Sequence, residues 1–141
     1  MTTTPYDESR IKNDDVIIRR VSSHHIVFDS NQNCRRISSK LYKPSSAPDC
    51  GMSVDIETLI IAANIQPKTY VINPQFTGAV SFTARQIRAL SLSVGYDPLP
   101  NNPYHGGVWN IANPKKFTSA QTSGLATAAQ WYVPLPNVKL R

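Results

Sequence analysis

The sequence predicts an α+β fold: a single compact domain with a mainly antiparallel sheet and about three short helices. Three observations carry this. Strand-like apolar runs crowd the first third of the chain. Helical spacing enters only after Gly51, between further strand-like runs. Clusters of Pro, Asn and Gly separate the segments. The length of 141 residues suits one domain. A hydrophobic fraction of 40% fits a globular chain better than a disordered one. The expected domain spans 15–133, between a flexible arm (1–14) and a C-terminal tail (134–141).

Each element follows from local residues. Asp15–Val21 reads as a strand, with Val16, Ile17 and Ile18 clustered and Arg19-Arg20 following. His24–Phe28 is a second strand, and Asp29–Asn33 is turn chemistry. Arg35–Tyr42 alternates as a third, with Ile37, Ser39 and Leu41 on one face. Pro44–Gly51 is a loop by composition. A helix follows: Ser53 or Asp55 can cap it, and Ile56, Leu59, Ile60 and Ala63 share one face until Asn64 and Pro67 stop it. Thr69–Ile72 reads as a strand. Ala79–Phe82 is another, running into a helix that Thr83 and Gln86 open with capping-box spacing. Leu92–Tyr96 and Gly107–Ile111 are strands around a Pro- and Asn-rich loop. Asn113–Lys116 is a turn. Thr118 and Gln121 open an Ala-rich helix, and Trp131–Val133 closes the domain as a strand.

Composition narrows the function classes. The net charge of +6 allows an anionic partner, such as nucleotide, RNA or an acidic protein surface. No apolar run could span a bilayer, so no membrane partner is expected. The start of the chain lacks a basic region followed by an apolar one, and Cys34 and Cys50 belong to no paired metal-ligand unit. A cytoplasmic, reduced chain with no metal and no cofactor is the expectation, with a disulfide left open. Phosphate-loop, dinucleotide-binding, zincin and nucleophile-elbow motifs are absent. Only Asp55, Glu57 and Asp97 follow Gly51, which speaks against paired-carboxylate chemistry.

Four segments are candidate sites. His24 and His25 could supply an acid or base near neutral pH. On a strand they would point to opposite faces, which instead suits one solvent-facing and one hydrogen-bonded ring. Arg35-Arg36-Ile37-Ser38-Ser39 offers planar forks beside hydroxyls, suited to phosphate or equally to a solvated strand face. Gly51-Met52-Ser53-Val54-Asp55 could hold an anion at a helix start, but capping explains it better. Asn102, Tyr104 and His105 bring an amide, a phenol and an imidazole onto a loop shaped by Pro and Gly, for recognition or proton transfer. Trp109 and Trp131 read as packing residues.

Several of these segments together resemble a group of small uncharacterised bacterial proteins. The shared pattern is His24/His25-Ile-Val-Phe-Asp, Arg36-Ile37-Ser38-Ser39, Met52-Ser53-Val54-Asp55, Val80–Arg85, Asp97-Pro98 and Asn102-Pro103-Tyr104-His105. The resemblance covers most of residues 20–133 and implies a place beside multi-component conflict or defence systems. Where that group carries a Gly-Lys-Lys-Thr-like segment, this chain has Asn113–Phe117. Two functions follow as expectations. One is an accessory binding module that recognises a larger protein partner or an anionic ligand. The other is a metal-independent enzyme acting on a nucleotide or RNA, with His24 or His25, Arg36, Ser38 and His105 converging.

Overall fold

The computed structural model describes residues 3–45, 51–114 and 116–141. Its centre is β1 (Val16–Ser22), whose alternation buries residues on both faces: Ile17 and Val21 join one core cluster, Ile18 the other. Around it stand β4 (Met52–Ile56), β5 (Phe76–Thr83), β6 (Ser93–Tyr96), β7 (His105–Trp109) and β8 (Gln130–Val133). They form an antiparallel sheet in the order β6-β7-β4-β1-β5-β8. A three-stranded sheet holds the hairpin β2 (Ile26–Asp29) and β3 (Cys34–Ile37), with β9 (Val138–Lys139) parallel to β3. The fold is therefore α+β, as the sequence predicts.

Helices cover both faces of the large sheet. The larger core cluster takes Ala84 and Ile87 of α3 (Ala84–Arg88) and Leu125 of α4 (Ser119–Ala128), with Ile37 of the small sheet and Leu41 beyond it. The smaller cluster joins Ile60 of α1 (Glu57–Ala62) to Val71, just past α2 (Pro67–Tyr70). Both expected capping boxes form, Thr83 with Gln86 and Thr118 with Gln121. Asn64, at φ 61, takes the left-handed position that ends α1. Gly107 has no room for a side chain, because the Trp109 ring lies against its Cα.

Several elements depart from the sequence reading, each for a nonlocal reason. Ser53 and Asp55 are strand residues: Met52–Ile56 pairs with β7, and α1 starts at Glu57 without a side-chain cap. Thr69 and Tyr70 are helical because Pro67 occupies the first turn of α2. His24 and His25 lie in a 3-10 turn, Ser23–His25, between β1 and β2. The third strand stops at Ile37. Ser38 then caps a second 3-10 turn, Ser39–Tyr42, which buries both Leu41 and Tyr42. The last strand before α4 begins at His105, not Gly107.

Both ends make contacts that a loose arm or tail would lack. In 3–14, Ile11 is buried, Asp7 accepts from Arg88 and from the Val94 N–H, and the Glu8 N–H donates to Val94 O. In 134–141, Val138 is buried and pairs across from Arg35. No helix among the described residues is long and apolar enough to cross a membrane. Cys50, most of the Pro44–Gly51 loop and Lys115 lie outside the described residues, and with them the question of a Cys34–Cys50 pair.

Candidate functional site

The β1–β4 ladder is short. Ile17 pairs with Ile56 and Ile18 with Asp55, and there pairing stops. On its other edge β1 continues along β5 as far as Ser22, and β4 continues along β7 as far as Met52. Beyond Ile18 and Asp55 the two strands leave an opening. A cleft of about 490 Å³ lies there, lined by Arg19 and Arg20 of β1, Ser53, Val54 and Asp55 of β4, and His105 of β7. Tyr70, Asn73, Gln75 and Phe76, with the loop residues Leu99, Asn101 and Asn102, complete it. Its volume is in the range of small-molecule sites.

Asp55 anchors the floor of this cleft. Its side chain is only 3% exposed and takes a bidentate ion pair from Arg20, at 2.8 and 3.1 Å. The Asn102 Nδ2 donates to the same carboxylate at 2.8 Å. The Asn102 Oδ1 accepts from the Tyr70 hydroxyl at 2.8 Å and from the Tyr104 N–H. Arg20 lies 5.5 Å from the centre of the Tyr70 ring, which Tyr104 meets edge-on. Burial, and next the Asp55 charge, hold the Tyr70 hydroxyl above its ordinary range. Reciprocal backbone bonds between Leu99 and Asn102 close the loop on itself. Asn102 and Tyr104 therefore fasten the loop to the sheet, and both oxygens of Asp55 are engaged.

Arg19 is different. Its Nε donates to Leu41 O and its Nη1 to Ser53 O, both at 3.0 Å. Among the described residues, no carboxylate partners it and none bonds its Nη2. Burial pushes the guanidinium down to about 10, which leaves it charged at neutral pH. A partly desolvated cation held by carbonyl oxygens alone is costly unless an anion completes it. His105 of β7 also lines the cleft. Its Nδ1 donates to Asp97 O at 2.7 Å, which leaves Nε2 as the ring's open hydrogen-bonding atom.

The other candidates lie elsewhere. None of His24, His25, Arg35, Arg36, Ser38 and Ser39 lines the cleft. Arg36 is paired with Asp29 at 2.8 Å and also donates to Ile37 O. That pair holds the Asp29 carboxyl below its ordinary range. Ser38 caps its own turn by accepting from the Lys40 N–H. Arg35, Ser39 and His24 are exposed. His25 accepts from the Ser22 N–H at its Nδ1, and burial, then the charges of Arg19 and His24, push it down to about 4. It is neutral at physiological pH.

Of the residues the sequence singles out, Asn102 and His105 line the cleft and Tyr104 does not; Arg19, Arg20, Tyr70 and Phe76 line it without being singled out, and Asp55 lines it as a strand residue, not a helix cap. One signal was available: two adjacent arginines inside an otherwise apolar strand, Val-Ile-Ile-Arg-Arg-Val. Such charges must find partners or a ligand. Among the described residues, no group of three or more His, Cys, Asp or Glu side chains could hold a metal ion. No protein-family model matches the sequence, and comparison with curated proteins and with solved structures finds no match.

Proposed function

We propose that this protein is a binding module whose cleft between β1 and β4 holds an anionic ligand. The observation that carries this reading is Arg19, a half-buried guanidinium with carbonyl partners and, among the described residues, no carboxylate, lining an open cleft. The free groups around it are mostly donors or adaptable amides. Arg20 spends two nitrogens on Asp55, and its Nη1 has no partner among the described residues. The Asp55 charge is offset by its ion pair with Arg20. An accessory place in a larger bacterial assembly, which the resemblance implies, suits a recognition role of this kind. The enzymatic reading needs His24 or His25, Arg36 and Ser38 beside His105, and no contact among the described residues supports that convergence.

The test is titration of the protein with inorganic phosphate, read by backbone amide shifts. Phosphate should move the amides of Arg19, Ser53 and His105, with saturation at millimolar concentration on the order expected for a lone anion contact. Arg19→Met should abolish these shifts and weaken binding by about 100-fold, a cost of about 3 kcal/mol. Shifts that survive in Arg19→Met, or that centre on Arg35 and Lys40, would overturn the proposal.

A further inference from the structure

The cleft is much larger than a bare anion needs. Phosphate displaces a few waters of about 30 Å³ each, against the 490 Å³ available. What lines the remainder is therefore informative. Asn73 uses its Oδ1 to accept from the Gln75 and Phe76 N–H groups, which leaves its Nδ2 free. The Gln75 and Asn101 side chains are exposed and line the cleft. Three amides thus offer donors and acceptors to a ligand edge. Two open apolar groups accompany them. Phe76 is half-buried at the start of β5, and Leu99, 41% exposed, comes from the braced loop.

We propose that the ligand is a nucleoside monophosphate, a reading that rests on the anion-binding cleft proposed above. Its phosphate meets Arg19, with the open nitrogen of Arg20 nearby. Its base lies against Phe76 and Leu99, and the Asn73, Gln75 and Asn101 amides contact the base edge. A nucleobase has the flat apolar face and the alternating donors and acceptors that such a lining recognises. The charge balance agrees. With Arg20 neutralised by Asp55, Arg19 is the lining arginine that no carboxylate compensates among the described residues, and His105 offers Nε2 as a further hydrogen-bonding atom.

A nucleic-acid strand fits less well. Strand binding needs a track of cations along the backbone path. Among the described residues no lysine lines the cleft, and Arg10, Arg36 and Arg88 are each ion-paired within the protein. The site offers one phosphate position, not a succession of them.

The experiment is calorimetric titration of the full chain, at one ionic strength, with inorganic phosphate, ribose 5-phosphate, each nucleoside monophosphate and a single-stranded RNA hexamer. At least one nucleotide should bind about tenfold or more tighter than ribose 5-phosphate, the gain expected from one stacked base. Phe76→Leu keeps apolar bulk and removes the flat ring. It should bring that nucleotide down towards ribose 5-phosphate while leaving phosphate binding unchanged, with thermal melting confirming that the variant is folded. Nucleotides no tighter than ribose 5-phosphate, alongside phosphate binding that still depends on Arg19, would overturn the nucleotide proposal and leave the anion site standing. A hexamer that binds more tightly than its monomers would overturn it in favour of a strand. Absence of binding by every phosphorylated ligand would overturn both readings.

Discussion

The two sheets treat their arginines in opposite ways. In the three-stranded sheet, Arg36 pairs with Asp29 of the same hairpin, and Arg35 and Phe28 sit exposed across from one another on β3 and β2. The charges there are settled locally, within seven residues of chain. In the six-stranded sheet, Arg20 reaches Asp55, 35 positions away, and Arg19 reaches Ser53, 34 positions away. Arg20 is compensated by a carboxylate and, among the described residues, Arg19 is not. The hairpin has the more site-like sequence, with paired arginines followed by paired serines. Its groups are nevertheless spent on the turn and on solvent. The site-like geometry belongs to an arginine pair that reads as the unremarkable end of a strand.

The strongest way to break this comparison is at Asp55. Its carboxylate serves β1 through Arg20 and the 97–105 loop through Asn102, and both it and Arg20 are largely shielded from water. Removing one member of a buried ion pair strands the other. Asp55→Ala should cost about 3–5 kcal/mol in urea denaturation. It should also speed hydrogen exchange in residues 97–105. A loss below about 1 kcal/mol would place this pair with ordinary surface ion pairs and erase the contrast between the sheets.

The same contrast explains what could be read from the sequence. Elements specified by neighbours along the chain were legible. The Thr83–Gln86 and Thr118–Gln121 boxes each fall within one turn of helix, and β1, Val16–Ser22, carries the β-branched Val16, Ile17, Ile18 and Val21. Elements specified by distant partners were not. Met52–Ile56 carries good capping residues, and only its place between β1 and β7 makes it a strand. The two residues of β9 are a strand only because β3 is there to pair with them. The site divides along the same line. Asn102, Tyr104 and His105 stood out because Pro and Gly shape their loop. Arg19 did not, because its role depends on where the β1–β4 pairing ends, and no local pattern records that.

His25 lies at the junction of the two regions, and it sharpens the comparison through pH. Burial and the Arg19 charge hold it neutral down to about pH 4, whereas an unfolded histidine protonates near 6.5. Between those values the unfolded chain binds more protons. The stability linked to His25 is therefore complete above about pH 6.5 and is lost as pH falls towards 4. With its partial exposure, the difference should be about 1–2 kcal/mol. His25→Asn keeps an acceptor near the Nδ1 position for the Ser22 N–H and removes the titration. The wild-type decline between pH 6.5 and 4, measured against this variant, isolates it from the carboxylates. Parallel curves for the two proteins would show that neither burial nor the Arg19 charge lowers His25 on folding.

The smallest effect is expected at Arg36, and its smallness is informative. The Arg36 side chain is 35% exposed, and its partner Asp29 also accepts from Asn31 and Gln32 within the turn. Loss of the guanidinium therefore leaves Asp29 with other donors and with access to water. Arg36→Ala should cost no more than about 1 kcal/mol, and that cost should shrink in 1 M salt, where the screening length is about 3 Å. It should leave phosphate and nucleotide affinity unchanged, because Arg36 does not line the cleft. A drop in affinity comparable to that of Arg19→Met would move the functional site to the hairpin and reverse the assignment of the two sheets.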